Sequence, residues 1–257
     1  MGAVELSLDA PEAWALGEEH RRFLSPGVAP LLRVHARARE VGRLPPVPDP
    51  RAVIATRRGD AGTVATRDVR ARWRRVAPGR YEAEAEVADP RFGPSHLMTA
   101  LVAATTEAEG GLVLHAVALV ADARPVLLLG PTDAGKTTAA EACRTARWIA
   151  RDRVAVLPGA DGWVLWGMPG GDPLSTPQAP PGLHRVGRAL RVRRAAGATR
   201  VVPLSPAAAV ARVRECVQAV AGGDLLASVA DLCQHASVAQ LTGDLVGPLD
   251  ALVFGDG

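Results

Sequence analysis

The chain has 257 residues, 48% of them apolar, with a formal charge of +3 and a pI near 9.1. That is enough apolar content for a substantial core in one large or two modest domains, and the small charge gives no argument for nucleic acid as a partner. No stretch reaches the roughly 18 uninterrupted apolar residues of a membrane span. Cys143, Cys216 and Cys233 are widely spaced and form no C-x-x-C pair, which argues against a disulfide framework or structural zinc and suits buried free thiols in a reducing compartment.

The N-terminus, MGAVELSLDAPEAWALGEEH, carries acidic residues where a signal peptide would be basic, and Leu6 stands where a myristoylation pattern needs Ser or Thr. The expected location is the cytoplasm. Residues 1–52 look irregular, because Pro30, Pro45, Pro46, Pro48 and Pro50 interrupt any long helix; a short helix is expected over Leu31–Val41, carrying Arg33, Arg37 and Arg39. Strand patterns follow. Val69–Val76 and Tyr81–Val87 alternate apolar and charged residues around the turn Pro78-Gly79. Antiparallel pairing would set Arg70, Arg72 and Arg74 across from Glu86, Glu84 and Glu82, on a face read as solvated. Residues 1–90 therefore read as a smaller α+β region, and residues 91–257 as a second domain.

Beyond a turn at Pro90–Pro94, His96–Glu109 has Met98, Leu101, Val102 and Thr105 at helical spacing and stops at Gly110-Gly111. Leu112–Val120 is a strand with His115 near its middle, and Asp122-Ala123-Arg124 turns the chain back into the apolar strand Val126–Leu129. Then come Gly130, Pro131, Thr132, Asp133, Ala134, Gly135, Lys136, Thr137 and Thr138, which fit the phosphate-loop pattern G-x-x-x-x-G-K-[ST] between a strand and an Ala-rich helix, Thr137–Cys143. Lys136 is the only lysine in the protein. A planar guanidinium is a poor substitute for a compact ammonium reaching β- and γ-phosphates, so this is the position where lysine is needed. In that context the backbone N–H groups of Thr132 to Thr137 face phosphate oxygens and the Thr137 hydroxyl is placed to ligate Mg²⁺. Asp152 follows the apolar stretch Trp148-Ile149-Ala150, where an aspartate can hold Mg²⁺ or accept a hydroxyl proton.

Residues 172–200 start as a Pro-rich loop and run into a strand with Leu190 and Val192 on one side and Arg191 and Arg193 on the other. Arg185, Arg188, Arg191, Arg193, Arg194 and Arg200 could hold a phosphate, an acidic peptide or an adenine ring, or simply form a solvated face. Ser205–Ala221 reads as a helix, with Ser205 as N-cap, Pro206 at the first position and Val210, Val213, Val217 and Val220 on one face, stopped by Gly222-Gly223.

Together GGLVLHAVALV, the turn ADARP, VLLLGPTDAGKTT and WIARDRVAV resemble, in order and spacing, the HPr kinase/phosphorylase-related family, and WGMPG, RALRVRR, VVPLSPAAAV and DLCQHASVAQLTGD resemble its C-terminal pattern. The resemblance implies an α/β fold: a P-loop, HPr-kinase-like (phosphoenolpyruvate-carboxykinase-like) mixed sheet with flanking helices, preceded by the smaller N-terminal region. It implies an ATP- and Mg²⁺-dependent kinase acting on a Ser or Thr hydroxyl of a peptide or small protein. Asp152, His115 and Lys136 would be its catalytic residues, the loop would bind nucleotide, and Thr137 and Asp152 would bind metal. The family commonly has two adjacent aspartates where this chain has Arg151-Asp152, which puts a second metal position or turnover in doubt. Asp172 is the nearest candidate for the family's further metal-binding glutamate. GTP in place of ATP, a homo-oligomer, a nucleotide-binding scaffold without turnover and a small-molecule kinase stay open. Neither membrane nor nucleic acid is expected as a partner.

Overall fold

The computed structural model describes residues 2–9, 30–47, 53–168, 179, 184–218 and 225–255. The chain is a mixed α/β protein in two units, the first formed by Met1–Gly111 with Met168–Gly170 and Ala219–Asp224, the second by Leu112–Gly167, Gly171–Gln218 and Leu225–Gly257. Among the described residues no helix is long and apolar enough to cross a membrane.

The first unit holds a six-stranded sheet, ordered β1 (Gly2–Asp9), β2 (Pro30–Glu40), β6 (Arg80–Val87), β5 (Val69–Ala77), β4 (Ala61–Ala65), β3 (Ile54–Arg58). β2 runs parallel to both its neighbours and the remaining pairs are antiparallel. The helix expected over Leu31–Val41 is thus a strand. Its residues alternate at period two: Leu32, Val34 and Ala36 are buried while Arg33, His35 and Arg37 are exposed, a pattern that suits a half-buried strand and no helical face. Gly2–Asp9 also forms a strand in the region that composition marked as irregular.

The β5–β6 hairpin has the register that its charges imply, with Arg70 opposite Glu86, Arg72 opposite Glu84 and Arg74 opposite Glu82. Arg74 donates to Glu82 and Arg39 of β2 to Glu86. Because both pairs are solvated, each contributes well under about 1 kcal/mol. On the other strand face Val69, Ala71, Trp73, Tyr81, Ala83 and Ala85 are buried, and helix α1 (Gly93–Ala108) packs on this sheet. Glu109, at the C-terminal end of α1, accepts from Arg75, the Gly79 N–H and the Tyr81 hydroxyl, at 2.8, 2.9 and 2.6 Å, and so ties the hairpin turn to the helix end.

The second unit is a nine-stranded sheet. Along it run β12 (His184–Arg185), β11 (Gly162–Gly167), β10 (Arg153–Gly159), β7 (Leu112–Ala121), β8 (Arg124–Leu129), β13 (Arg188–Arg194), β15 (Ser237–Gly243) and β14 (Arg200–Pro203), with β9 (Arg147–Ala150) also beside β7. β8, β13 and β15 are mutually parallel neighbours and the other pairs are antiparallel. Alternate residues of β7 and β8 enter two separate cores. Leu112, Leu114, Leu127 and Leu129 pack with Val213, Cys216, Val229 and Leu232, from α3 (Pro206–Arg214), the turn after it and α4 (Leu226–His235). Val117, Leu119, Val126 and Leu128 pack with Ala139, Ala140, Val253 and Phe254, from α2 (Lys136–Glu141) and α5 (Asp250–Phe254). Coverage on both faces is why these strands read as continuous apolar runs, and each fully buried Leu contributes about 1.5–3 kcal/mol.

Ser205 caps α3 as expected, accepting from the Ala208 N–H, with Pro206 in the first turn. The helix does not run on to Ala221, however. It ends at Arg214, and the chain then pairs with the free side of β7: the His115 backbone N–H donates to the Cys216 carbonyl, the Gln218 backbone N–H donates to the Val113 carbonyl and Val217 bridges Leu114. Pairing with an open strand satisfies more backbone groups than another helical turn carrying the β-branched Val217 would. Residues 219–221 of the expected helix lie outside the described residues.

Candidate functional site

The site forms where β7 changes neighbours. On one side of β7, β8 begins its pairing with Leu129 opposite Ala116; the phosphate loop starts at the next residue, Gly130, and so leaves the sheet beside His115. On the other side Arg153 pairs with His115, and Ala116 donates to the Asp152 carbonyl. Three strand neighbours thereby bring Gly130, His115 and Asp152 into one row. The register of two antiparallel pairings is sufficient to assemble residues that lie far apart in sequence.

The loop needs its glycines for space. A Cβ at Gly130 would stand 2.8 Å from the Ala134 Cβ and 3.0 Å from an Arg191 nitrogen. Gly135 has φ of 95°, and a Cβ there would meet the Leu245 Cδ1 at 2.6 Å. Helix α2 starts directly afterwards, so its first N–H groups, which have no intrahelical acceptor, open towards the loop.

Lys136 is buried and folded back on the loop. Its ammonium donates to the Gly130 and Pro131 carbonyls at 2.8 and 2.9 Å and lies 3.2 Å from His115 Nε2. Burial lowers its pKa, an effect that the nearby Asp152 charge partly offsets. The same His115 nitrogen is 3.3 Å from Asp152 Oδ1. One ring nitrogen cannot accept from Lys136 and donate to Asp152 at once, so the imidazole stands between a donor and an acceptor, and whether Nε2 carries a hydrogen decides which one it engages. The hydrogen bond from His115 holds the Asp152 carboxyl below its ordinary value despite partial burial, and the charges of Arg153 and Lys136 add to this. Asp152 is therefore ionised at neutral pH and half-exposed.

The three residues expected to be catalytic thus converge, and Thr137 and Thr138 open the adjoining helix. Arg151, the departure from the paired aspartates, is exposed in the turn between β9 and β10. Asp172 lies outside the described residues. Hard oxygen donors at Thr137 and Asp152 suit Mg²⁺, which binds through one or two carboxylates together with substrate phosphates. Among the described residues no group of three or more His, Cys, Asp or Glu is placed to hold a metal ion.

Two further features come from β13 and the end of α3. Arg191, midway along its strand and mostly buried, reaches Gly130 from the α3 side and is held by Glu215 at 2.9 Å, a bond that depresses the Glu215 carboxyl. Arg194 donates to the Thr138 hydroxyl at 3.0 Å. The sequence marks both arginines as phosphate candidates among six; Glu215 and Cys216 carry no such signal. Cys216 is buried, with its thiol pKa raised by that burial, and is close enough to the site for Arg191 and Lys136 to oppose the shift.

No protein-family model matches the chain, and no curated protein matches it in sequence.

Proposed function

We propose that the second unit is an ATP- and Mg²⁺-dependent phosphotransferase of the HPr-kinase-related type, acting on a Ser or Thr hydroxyl of a peptide or small protein in the cytoplasm. The observation that carries this reading is the convergence of Lys136, His115 and Asp152 at the mouth of a strand–loop–helix phosphate site, with contacts of 3.2 and 3.3 Å. Phosphoryl transfer asks little covalent work of a protein, so positioning and charge neutralisation suffice. The loop N–H groups and Lys136, once released from the Gly130 and Pro131 carbonyls, bind the phosphates. Asp152, kept ionised by His115, accepts the proton of the attacking hydroxyl as the bond from phosphorus to the acceptor oxygen forms and the bond to the leaving ADP oxygen breaks. Mg²⁺, held by Thr137 and Asp152, would neutralise charge on the phosphates. The family assignment and the phosphoenolpyruvate-carboxykinase-like form of the fold rest on the sequence motifs and belong to this proposal.

A second reading, a nucleotide-bound scaffold without turnover, is favoured by one observation: Arg151 occupies the position of the first acidic residue, leaving only Asp152 of the family's adjacent pair. Transfer of label from ATP with Mg²⁺ to Ser- and Thr-containing peptides separates the two. Label on a peptide hydroxyl with wild type, absent with Lys136→Ala and Asp152→Ala, supports the kinase. Tight ATP binding with no transfer to any peptide supports the scaffold.

A further inference from the structure

β13 outruns β8. Arg191 is level with Leu129, the last residue of β8, so the three residues after it continue alongside the phosphate loop. The last of these, Arg194, lies on the same strand face as Leu190 and Val192, the face that α2 covers. Its terminal nitrogen donates to Thr138 Oγ1 at 3.0 Å, and its Nε is 3.7 Å from where a Cβ on Gly135 would stand. Arg191 is neutralised by Glu215 and Arg153 lies beside Asp152, but no ion pair engages Arg194 among the described residues. An exposed guanidinium aimed at a phosphate loop with no carboxylate of its own is unspent positive charge.

The end of the loop to which it is aimed is specific. In a phosphate loop the lysine reaches the β- and γ-phosphates, while the loop N–H groups cradle the α- and β-phosphates. Thr138 is two residues further into α2 than Lys136, which turns its side chain about 200° around the helix from the lysine that meets His115. Its hydroxyl accepts from Arg194, and among the described residues no acceptor takes its own proton, so arginine and threonine form a donor relay. Resting on the reading of the loop as a nucleotide site, we infer that Arg194 is a ligand for the α-phosphate and makes the site one that holds nucleoside diphosphates and triphosphates alike.

Calorimetric titration of the full chain with MgATP and with MgADP tests this on wild type, Arg194→Ala, Arg194→Lys and Arg147→Ala. Arg194→Ala should weaken both nucleotides by roughly tenfold, leaving the ATP-to-ADP affinity ratio unchanged, because the α-phosphate is common to both. Arg194→Lys should recover part of the loss. Arg147→Ala removes an exposed charge from β9 and should bind as wild type does. Unchanged affinity in Arg194→Ala overturns the inference, and so does a loss for ATP that spares ADP, which would move Arg194 to the γ end. Wild type that binds neither nucleotide overturns the reading of the loop itself. Matching thermal melts without nucleotide separate lost contacts from lost folding.

Discussion

Replacing Gly135 by Ala tests the steric reading of the phosphate loop. The residue has φ of 95°, a conformation that costs a residue with a Cβ about 1 kcal/mol or more. The added Cβ would also stand 2.6 Å from the Leu245 Cδ1. Leu245 is buried in the core beneath α2, so it can yield only by leaving its rotamer, at roughly 0.5–1.5 kcal/mol. The expected loss is therefore about 2 kcal/mol. Gly197→Ala is the control in the same unit: its φ is 96°, yet nothing lies within 4 Å of the new Cβ, so only the conformational part, about 1 kcal/mol, should appear. Urea unfolding followed by tryptophan fluorescence reads both, since Trp148, Trp163 and Trp166 are buried in the second unit. Leu245→Ala in the Gly135→Ala background should recover the excess, giving a double mutant less damaged than the sum of its parts. Equal losses at Gly135 and Gly197, or strict additivity with Leu245→Ala, would refute the reasoning.

Tyr81 is the only tyrosine in the protein, so its ionisation can be followed by ultraviolet absorbance without assignment. Burial and then its hydrogen bond to Glu109 push the phenol well above its ordinary value. Glu109→Gln should bring the titration down without restoring it fully, and should destabilise the first unit by about 1.5–3 kcal/mol through the weakened Arg75, Gly79 and Tyr81 contacts; an unmoved titration would show that Glu109 does not act on the phenol. His115→Ala addresses acid stability. Asp152 has its folded pKa depressed, so the stability it contributes is complete above the unfolded value of about 3.9 and is lost as pH falls through the lower folded value. Removing the histidine raises the folded value towards the unfolded one. The fall in stability below about pH 4 should then be shallower than in wild type, and an identical slope would dissociate His115 from the effect.

Much of the second unit was legible because local pattern and tertiary context agree there. The β7–β8 hairpin, the loop glycines and the lone lysine each carry a local signal, and in the first unit the charge alternation of β5 and β6 specifies their pairing. The errors share one cause. Leu31–Val41 and the stretch after Arg214 contain residues compatible with either helix or strand, and a neighbouring strand decided between them: β6 paired β2, and the open side of β7 drew Val217 and Gln218 out of the helix. That pairing partner is far away in sequence and leaves no periodicity to read. The same holds for Glu215. Its role depends on Arg191, 24 residues earlier, and on where α3 happens to end.

The turn between β7 and β8 consists of Asp122 and Ala123, both at positive φ, and is remote from any chemistry. Yet it is the gauge that sets Leu129 against Ala116, and with it the placing of Gly130 beside His115. Its residue identities are free to drift, towards Asn-Gly for instance, which would relax the backbone. Its length is not. One inserted residue would slide the loop along β7 and turn alternate side chains to the opposite core, so the tolerance of this hairpin to substitution and its intolerance of insertion should differ more sharply than at any surface turn that positions nothing.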